Sequence, residues 1–196
     1  MKLLLVTVAV AALGAAAPAL AQEAASSDVS YSGMYGNLGW AQTDTNDAKT
    51  QGVEGRVGGR FGRFLGVEGE LKAGLSSGHQ TYDFGAGPTR TGVKQSFAGA
   101  AYAVGFLPIT HKFDLLARVG YGASRYQVDP TGGSNFHFTE NGIRWGGGAE
   151  YFFDGRNGIR ADWTREHAGS ISGFPAAFVP PTHNADVISV AFAHRF

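Results

Sequence analysis

The sequence predicts an all-β protein, an eight-stranded antiparallel up-and-down transmembrane β-barrel. Three observations lead to this fold class: apolar and polar residues alternate along successive runs, one face of nearly every run is apolar, and 30 of the 196 residues are glycine. Glycine at this frequency without a triplet repeat disfavours helices and suits strands joined by tight turns. The chain contains no cysteine, which excludes disulfides and thiolate metal sites. Its 16 basic and 16 acidic residues leave no net charge to attract nucleic acid.

Residues 1–21 have the features of a secretory signal peptide. Lys2 precedes an apolar run at residues 3–17, and the small residues Ala19 and Ala21 flank Leu20 before the expected cleavage point. A membrane anchor is disfavoured because the apolar run is short and ends at Pro18. We therefore predict that residues 22–196 form a single barrel domain.

Eight alternating runs follow the predicted signal. They cover approximately residues 31–42, 51–61, 64–75, 92–107, 113–127, 139–153, 158–166 and 185–196. The connections after the second, fourth and sixth runs are short, whereas those after the first, third, fifth and seventh are longer and polar. This alternation predicts an antiparallel meander with tight turns at one end. Closing the meander into a barrel removes its edge strands.

The stretch VEGRVGGRFGRFLGVEGELKAG, residues 53–74, indicates which face of the barrel meets lipid. Apart from Arg63, its charged residues occupy even positions: Glu54, Arg56, Arg60, Glu68, Glu70 and Lys72. The charged face of the barrel is also rich in glycine and alanine, which save space inside a narrow barrel but serve no purpose on a solvated wall. A Lys or Arg facing lipid at the membrane midplane costs about 2–4 kcal/mol. We therefore predict that the apolar face meets lipid and the charged face fills the lumen. A soluble lipocalin-like ligand-binding barrel, with the two faces reversed, is the alternative fold.

The same assignment on later strands extends the predicted lumen charge cluster. The added members are Arg118, Arg144, Glu150, Arg160 and Asp162. We expect a structural role, in which acids and bases neutralise one another across the lumen. Glu68 and Glu70 lie two residues apart on one face, as an acid/base pair requires, but neutralisation by the surrounding bases is the favoured interpretation. Eight strands leave an interior just wide enough for side chains, so a general porin channel is not expected.

The remaining motifs predict no catalytic, cofactor-binding or metal-binding residue. The histidines show no metal-binding spacing, although His79, His137, His167 and His183 lie in or beside long connections, where a surface metal site is a minor alternative. His167 and Ser170 are close in sequence, but no strand register makes them a nucleophile and its base. No cofactor is expected.

Three stretches resemble the small OmpA/OmpX-type outer-membrane barrels. YGNLGWAQTD at residues 35–44 is similar to their first strand, with Leu38 and Trp40 toward lipid and Asn37 inside. GIRADWTRE at residues 158–166 resembles the penultimate strand. The end of the chain, VISVAFAHRF, resembles the C-terminal signal read by the barrel-assembly machinery, although His194 stands where a tyrosine is common. The residues that carry this signal are Val190, Phe192 and Phe196.

The resemblance implies a role in the outer membrane of a Gram-negative bacterium, reached by export with the signal peptide. Relatives of this type include structural proteins, proteins that adhere to host surfaces and a few lipid A-modifying enzymes. We expect a non-enzymatic structural or surface-interaction protein with variable extracellular loops, and a lipid A-modifying enzyme is the alternative. The expected partners are outer-membrane lipid and lipopolysaccharide, the barrel-assembly machinery and a surface ligand bound through the loops, with no nucleic acid.

Overall fold

Most strands in a computed structural model of the protein are longer than the alternating runs of the sequence. The structure describes residues 32–45, 48–83, 88–129, 135–173 and 184–196, and the predicted signal peptide lies outside them. The strands are β1 (Gly33–Thr45), β2 (Ala48–Phe61), β3 (Leu65–Gly74), β4 (Ser77–Asp83), β5 (Pro88–Pro108), β6 (Phe113–Asp129), β7 (Phe136–Phe152), β8 (Asn157–Ser172) and β9 (Asn184–Arg195). The described residues contain no helix that is long and apolar enough to cross a membrane.

The strands close into one antiparallel sheet. Apart from β3 and β4, neighbours in the chain pair with one another; β9 pairs with β1, and β3 pairs with β5 to complete the circle. β4 also pairs with β5, so β3 and β4 are two parts of one wall strand, interrupted at Leu75 and Ser76. The backbone amides of both interrupting residues donate to the carbonyl oxygen of Gln51 on β2, at 2.8 and 3.2 Å. The wall therefore has eight strand positions, which confirms the predicted eight-stranded antiparallel barrel.

An apolar band covers the outside of the barrel. Large hydrophobic side chains are exposed on all the wall strands, among them Leu38, Trp40, Val57, Leu71, Phe97, Leu115, Val119, Tyr121, Ile143, Trp145, Ile159, Val190 and Phe192. Asn37, by contrast, is buried in the interior with the charged residues. A soluble ligand-binding barrel requires the opposite arrangement, so the alternative fold does not describe this chain. An apolar outer wall around a polar interior is the arrangement of a transmembrane barrel.

The structure corrects the predicted lengths of the connections. The connection after β1 was expected to be long, but the β1–β2 ladder continues to the pair Thr45 and Ala48, which leaves two residues between the strands. Here Asp44 lies opposite Lys49, and such opposite-charge pairs stabilise a ladder without any apolar alternation. The connection after the third run, which was also expected to be a long loop, contains β4 and the start of β5. The part of the expected last loop up to Ser172 belongs to β8.

Two register shifts interrupt the strict alternation of faces. One lies in β5 between Gln95 and Phe97, and the other lies opposite Asn141 and Gly142 of β7, where β8 has the extra residue Gly169. An extra residue in one strand turns the side chains on its two sides to opposite faces. In β5, Gln95 is therefore buried before the bulge, whereas Ala98, Tyr102, Val104 and Phe106 at even positions are buried after it. A strict period of two along the sequence therefore assigns the residues on one side of such a shift to the wrong face.

The predicted short turns are present at residues 62–64, 109–112 and 153–156, all at the end of the barrel that also carries Phe196. Gly62 and Gly155 adopt φ angles of 64° and 83°, in the left-handed region that favours glycine. Asp154 closes its turn by accepting hydrogen bonds from the backbone amides of Arg156 and Asn157, at 2.9 and 2.6 Å. These bonds favour the carboxylate and lower the pKa of Asp154 to about 2.

At Val119 in the outer apolar band, the effect of an added charge on stability can be separated from the effect of a smaller side chain. Val119 is 55% exposed on the outer face of β6. We expect Val119→Lys to lower the free energy of unfolding in micelles by about 2–4 kcal/mol, because it presents an ammonium group to hydrocarbon. The matched change Val119→Ala should cost much less, since detergent or lipid fills the space. Urea titration of the refolded protein measures both, and a Lys variant as stable as the wild type would contradict the assignment of faces.

Candidate functional site

The interior of the barrel encloses a balanced set of charges. Among the residues that the structure describes, seven acids and seven bases are buried, and the eleven residues predicted from the sequence are all among them. The acids are Glu54, Glu68, Glu70, Asp114, Glu150, Asp162 and Glu166, and the bases are Arg56, Arg60, Lys72, Arg118, Arg144, Arg160 and Arg195. Burying an ionised group is costly unless it is paired and hydrogen-bonded. The contacts of these side chains therefore decide what the interior can do.

Glu68 lies at the centre of the middle layer. Its Oε1 accepts from Nη1 of Arg118 at 3.1 Å, and its Oε2 accepts from Nη1 of Arg160 at 2.7 Å. The hydroxyl of Tyr35 donates to the same Oε2 at 3.1 Å. Because β3, β6, β8 and β1 each supply one of these groups, this one carboxylate links four strands around the barrel.

Glu70 and Asp162 complete the middle layer. Glu70 Oε2 lies 3.0 Å from Nε of Arg56 and 3.2 Å from Nη1 of Arg118, and Tyr102 donates to its other oxygen at 3.3 Å. Asp162 bridges Arg56 and Arg160, with its Oδ2 at 2.7 Å from Nη1 of the former and 2.9 Å from Nε of the latter. Three carboxylates and three guanidinium groups thus form a closed ring of ion pairs. Glu54 adds a further ion pair to Arg56.

A second charged layer lies near the short turns. Asp114 Oδ2 contacts Nη1 of Arg60 at 2.6 Å and Nη2 of Arg195 at 2.7 Å, and Glu150 lies 3.1 Å from the same Nη2. Aromatic rings stack on these bases, which is a favourable cation–π arrangement. Arg60 lies 4.4 Å from the ring centre of Phe106, and Arg195 lies 3.5 Å from that of Phe152.

A third layer faces the opposite end of the barrel. Lys72 and Arg144 both approach Glu166 Oε1, at 3.0 and 3.3 Å, and Arg144 also donates to the hydroxyl of Ser124 at 2.8 Å. A cavity of about 20 Å³ beside these groups has room for a single water molecule. An apolar cluster follows, formed by Val93, Tyr126, Val128 and Phe138, with Phe136 and Ile171 packed against it.

Inward-facing glycines make room for the long charged side chains. A Cβ atom on Gly122 would lie 2.5 Å from Nε of Arg144, and one on Gly148 would lie 2.6 Å from Oδ1 of Asp162. Neither position therefore accepts even a methyl group without displacing an ion pair. The combination of charge and glycine on one face, seen in the sequence, reflects this requirement for space.

The residue pairs that were considered as candidates for catalysis make structural contacts. Glu68 and Glu70 are 1% and 3% exposed, and their oxygens are occupied by arginine and tyrosine donors. His167 lies on the outside, where its Nδ1 is 2.6 Å from Oδ1 of Asn184, while Ser170 pairs with Asn141. Among the described residues no group of three or more potential ligands could hold a metal ion. His183 lies outside the described residues.

Three buried charges were absent from the predicted cluster: Asp114, Glu166 and Arg195. All three lie on the inward positions of their strands, two residues from other buried side chains. The alternation could therefore have identified them. All three stand at the ends of the predicted runs, and the structure shows that Asp114 and Arg195 form the layer beside the short turns.

The family comparison matches the geometry. The model of the outer membrane protein beta-barrel domain matches residues 7–196 of the chain. The chain belongs to this family. As a member of a family of outer-membrane barrels, it is a protein of the Gram-negative outer membrane. No curated protein matches the chain in sequence.

Solved structures share the fold at low sequence identity. OprG from Pseudomonas aeruginosa has a TM-score of 0.63 and 15% identity, covering 87% of this chain and 99% of its own. Ail, the attachment invasion locus protein of Yersinia pestis, has a TM-score of 0.54 and 14% identity in its complex with the heparin analogue sucrose octasulfate, covering 83% and 97%. Neisserial surface protein A has a TM-score of 0.54 and 13% identity, covering 83% and 96%. These TM-scores show a common fold, and at identities this low the comparison shows the fold alone.

The middle layer of this outer-membrane barrel can be tested by a double-mutant cycle on Glu68 and Arg160. Glu68→Gln should lower the free energy of unfolding by about 3–5 kcal/mol, because it leaves buried guanidinium groups undercompensated. Adding Arg160→Gln should restore part of the loss, since Asp162 keeps its contact with Arg56. Asp44→Asn at the exposed pair with Lys49 is the control and should cost less than about 1 kcal/mol. Strictly additive effects in urea unfolding would refute the coupling.

Proposed function

We propose that the protein is a non-enzymatic surface-interaction protein, anchored in the outer membrane by its barrel and acting through the end opposite the short turns. The observation that carries this proposal is the lumen, in which charged layers and an apolar cluster fill the space inside the wall. Eight strands enclose little more than the side chains themselves. A filled interior supports a role at the surface over transport through the barrel.

The strands project beyond the apolar band at this end. On β5 the outermost large apolar side chain described on the outer face is Phe97, yet the strand begins nine residues earlier at Pro88. On β6 the corresponding residue is Tyr121, and the strand continues to Asp129. Paired strands fix the two ends of each connection that they carry, which lowers the entropic cost of binding a partner. The proposed interaction surface consists of the strand segments that extend beyond the apolar band, together with the connections that they carry.

The comparisons suggest a first ligand class to examine. Ail is an attachment protein by its name and was crystallised with a heparin analogue. We therefore choose immobilised heparin and host-cell layers as the first surfaces for adherence assays. The lipid A-modifying alternative receives no support from His167 and Ser170, which make separate contacts.

Assembly of the barrel is part of the proposal. Val190, Phe192 and Phe196 are exposed by 51%, 53% and 72% on the outside of the closing strand. The amide of Phe196 donates to the carbonyl oxygen of Met34 at 3.0 Å, next to the seam between β9 and β1. An exposed apolar row beside the closing seam suits recognition by the barrel-assembly machinery. Export by the predicted signal peptide at residues 1–21 belongs to the same proposal.

The β4–β5 hairpin offers the test. His79 and Gly92 are paired, so replacing residues 80–91 with Asn-Gly should close the hairpin by a two-residue turn without disturbing the wall. We expect cells that carry this variant to adhere less than half as well as wild type, at equal outer-membrane levels. His111→Gln in an exposed turn at the other end is the control and should leave adherence unchanged.

Two outcomes would contradict the proposal. The first is adherence of wild-type cells that equals that of cells lacking the protein on both surfaces. The second is passage of small solutes through the purified wild-type barrel in a liposome-swelling assay, because a filled lumen should admit none. Lipid A mass spectra that change when the protein is expressed would favour the enzyme instead.

A further inference from the structure

The apolar band of the outer wall is narrower on β8 than on β6. On β8 the outward side chains between Asn157 and Arg165 are Ile159, Ala161 and Trp163. On β6 six successive outward positions are apolar, namely Phe113, Leu115, Ala117, Val119, Tyr121 and Ala123. With a rise of about 3.3 Å per residue and a strand tilt of about 40°, the apolar positions span about 10 Å of the membrane normal on β8 and about 25 Å on β6. The two strands therefore fit hydrocarbon layers of different thickness.

Polar pairs bound the narrow part of the band at both of its ends. At the outer end Arg165 forms a bidentate pair with Asp186 on β9, with Nε to Oδ1 at 3.0 Å and Nη2 to Oδ2 at 2.7 Å. At the inner end Nδ1 of His194 lies 2.8 Å from Oδ1 of Asn157. Both pairs stand directly opposite one another in the β8–β9 ladder, so each polar edge crosses two strands. We call the apolar residues between the two edges, 159–163 of β8 and 188–192 of β9, the narrow section.

The tryptophans mark the outer boundary of the hydrocarbon on this side. The chain has three, and they lie on β1, β7 and β8 as Trp40, Trp145 and Trp163. The rings of Trp145 and Trp163 meet edge to face at 5.3 Å, and Arg165 lies 6.0 Å from the ring centre of Trp163. On β1 the next outward residue after Trp40 is the polar Gln42. Tryptophan is enriched where hydrocarbon meets the headgroups, so this boundary lies just beyond the narrow section.

The ladder pairs allow heights on β8 and β6 to be compared. One circuit of paired residues starts at Asn157, passes through His194, Gly36, Val57, Gly69, Ala101, Tyr121 and Ile143, and returns to β8 at His167. The pairing climbs from residue 157 to residue 167 in eight steps, because the strands of a barrel are tilted. Tyr121 is the sixth step. Val119 therefore stands within about one residue of the height of Trp163, and Leu115 within about one residue of that of Ile159.

At equal height, the two strands differ in their distance from the polar boundary. Trp163 is two residues from Arg165, whereas Val119 is six residues from Arg125, the first charged outward residue beyond it. These separations correspond to about 5 Å and about 15 Å along the membrane normal. Ile159 is likewise two residues from Asn157 at the inner end. A flat hydrocarbon layer that covers the apolar residues of β6 would therefore immerse both polar pairs of β8 and β9.

A mismatch of this kind is relieved by thinning of the bilayer, by tilting of the protein or by oligomerisation. Tilting moves the narrow section as a whole, so it brings one polar pair to the headgroups only by immersing the other. Thinning of the bilayer on this side relieves both ends at once, and lipid deforms at modest cost. The position of polar pairs at both ends thus favours thinning.

We propose that the β8–β9 side of the barrel locally thins the outer membrane, so that the Arg165–Asp186 and Asn157–His194 pairs both reach the headgroups. The partner of this surface is lipid whose acyl chains shorten their reach along the membrane normal to cover only the narrow section. The seam between β9 and β1 borders the thinned region. This effect depends on the embedded wall and is independent of adherence through the long connections.

The test measures the depth of single tryptophans by quenching with phosphatidylcholine brominated at different positions along its acyl chains. Trp40→Phe/Trp145→Phe leaves Trp163 as the reporter, and Ile159→Trp, with all three native tryptophans changed to Phe, reports the inner end. Val119→Trp and Leu115→Trp in the same all-Phe background are the matched controls on β6. We expect lipid brominated nearest the headgroup to quench most strongly at both 159 and 163. The reporter at 119 should lie about 10 Å deeper than the one at 163.

Three results would overturn the proposal. Equal depths at 163 and 119 would show a flat bilayer, and one shallow and one deep reporter at 163 and 159 would show a tilted barrel. Absence of quenching at 163 by any brominated lipid would show that a second copy covers this side. Heat-dependent gel mobility establishes that each variant is folded. If the all-Phe background does not fold, nitroxides on single cysteines at the same four positions give the depths by their accessibility to oxygen and to a water-soluble nickel chelate.

A pair of double variants tests whether the polar edge sets the thickness. Arg165→Leu/Asp186→Leu extends the apolar section by one outward position on each strand, so Trp163 should lie about 5 Å deeper. Asp44→Leu/Lys49→Leu removes another outward ion pair, with Nζ to Oδ2 at 3.2 Å, beyond the polar Gln42 and Gln51. This control should leave the depth of Trp163 unchanged. Equal shifts in the two variants, or no shift in the first, would equally overturn the proposal.

Discussion

In the described part of the chain, seven acids and seven bases are confined in the interior of a narrow barrel whose outside is apolar, and each must be compensated within that space. The middle layer shows how this is achieved: Glu68, Glu70 and Asp162 share the guanidinium groups of three arginines contributed by different strands. Because Glu68 reaches Arg160 and Asp162 reaches Arg56 across the lumen, these ion pairs form only when the barrel is closed. The wall satisfies its backbone hydrogen bonds by the same closure. Electrostatic compensation and barrel closure therefore depend on each other.

The same constraint explains the composition. Each arginine that crosses the lumen needs space, and inward glycines such as Gly122 and Gly148 provide it. The lipid-facing side has no such limit, and large aliphatic and aromatic residues occupy it. A filled interior then leaves the two ends and the outer surface as the places where the protein meets partners. The proposed interaction surface lies outside the lumen for this reason.

The sequence predicted the fold class and the face of each strand because hydrocarbon and a closed polar lumen impose opposite chemistry on alternate residues. It did not predict which acid contacts which base, since Arg160 and Glu68 are 92 residues apart and meet only across the lumen. It also missed the continuation of β1 and β2 beyond the band, where pairs such as Asp44 and Lys49 replace apolar alternation. The sequence did not predict the bulge between Gln95 and Phe97, because one extra residue changes which side chains face the lumen without changing the composition of the strand.

The central claim is that the apolar face of the wall meets lipid and the charged face is enclosed. The chain has no cysteine, so single cysteines at residues 114–121 of β6 can carry a spin label without a competing thiol. In lipid bilayers, accessibility to dissolved oxygen should be high at Leu115, Ala117, Val119 and Tyr121 and low at the residues between them, with a period of two. Oxygen accessibility that instead peaks at Asp114, Leu116 and Arg118 would show that the faces are reversed and would contradict the account.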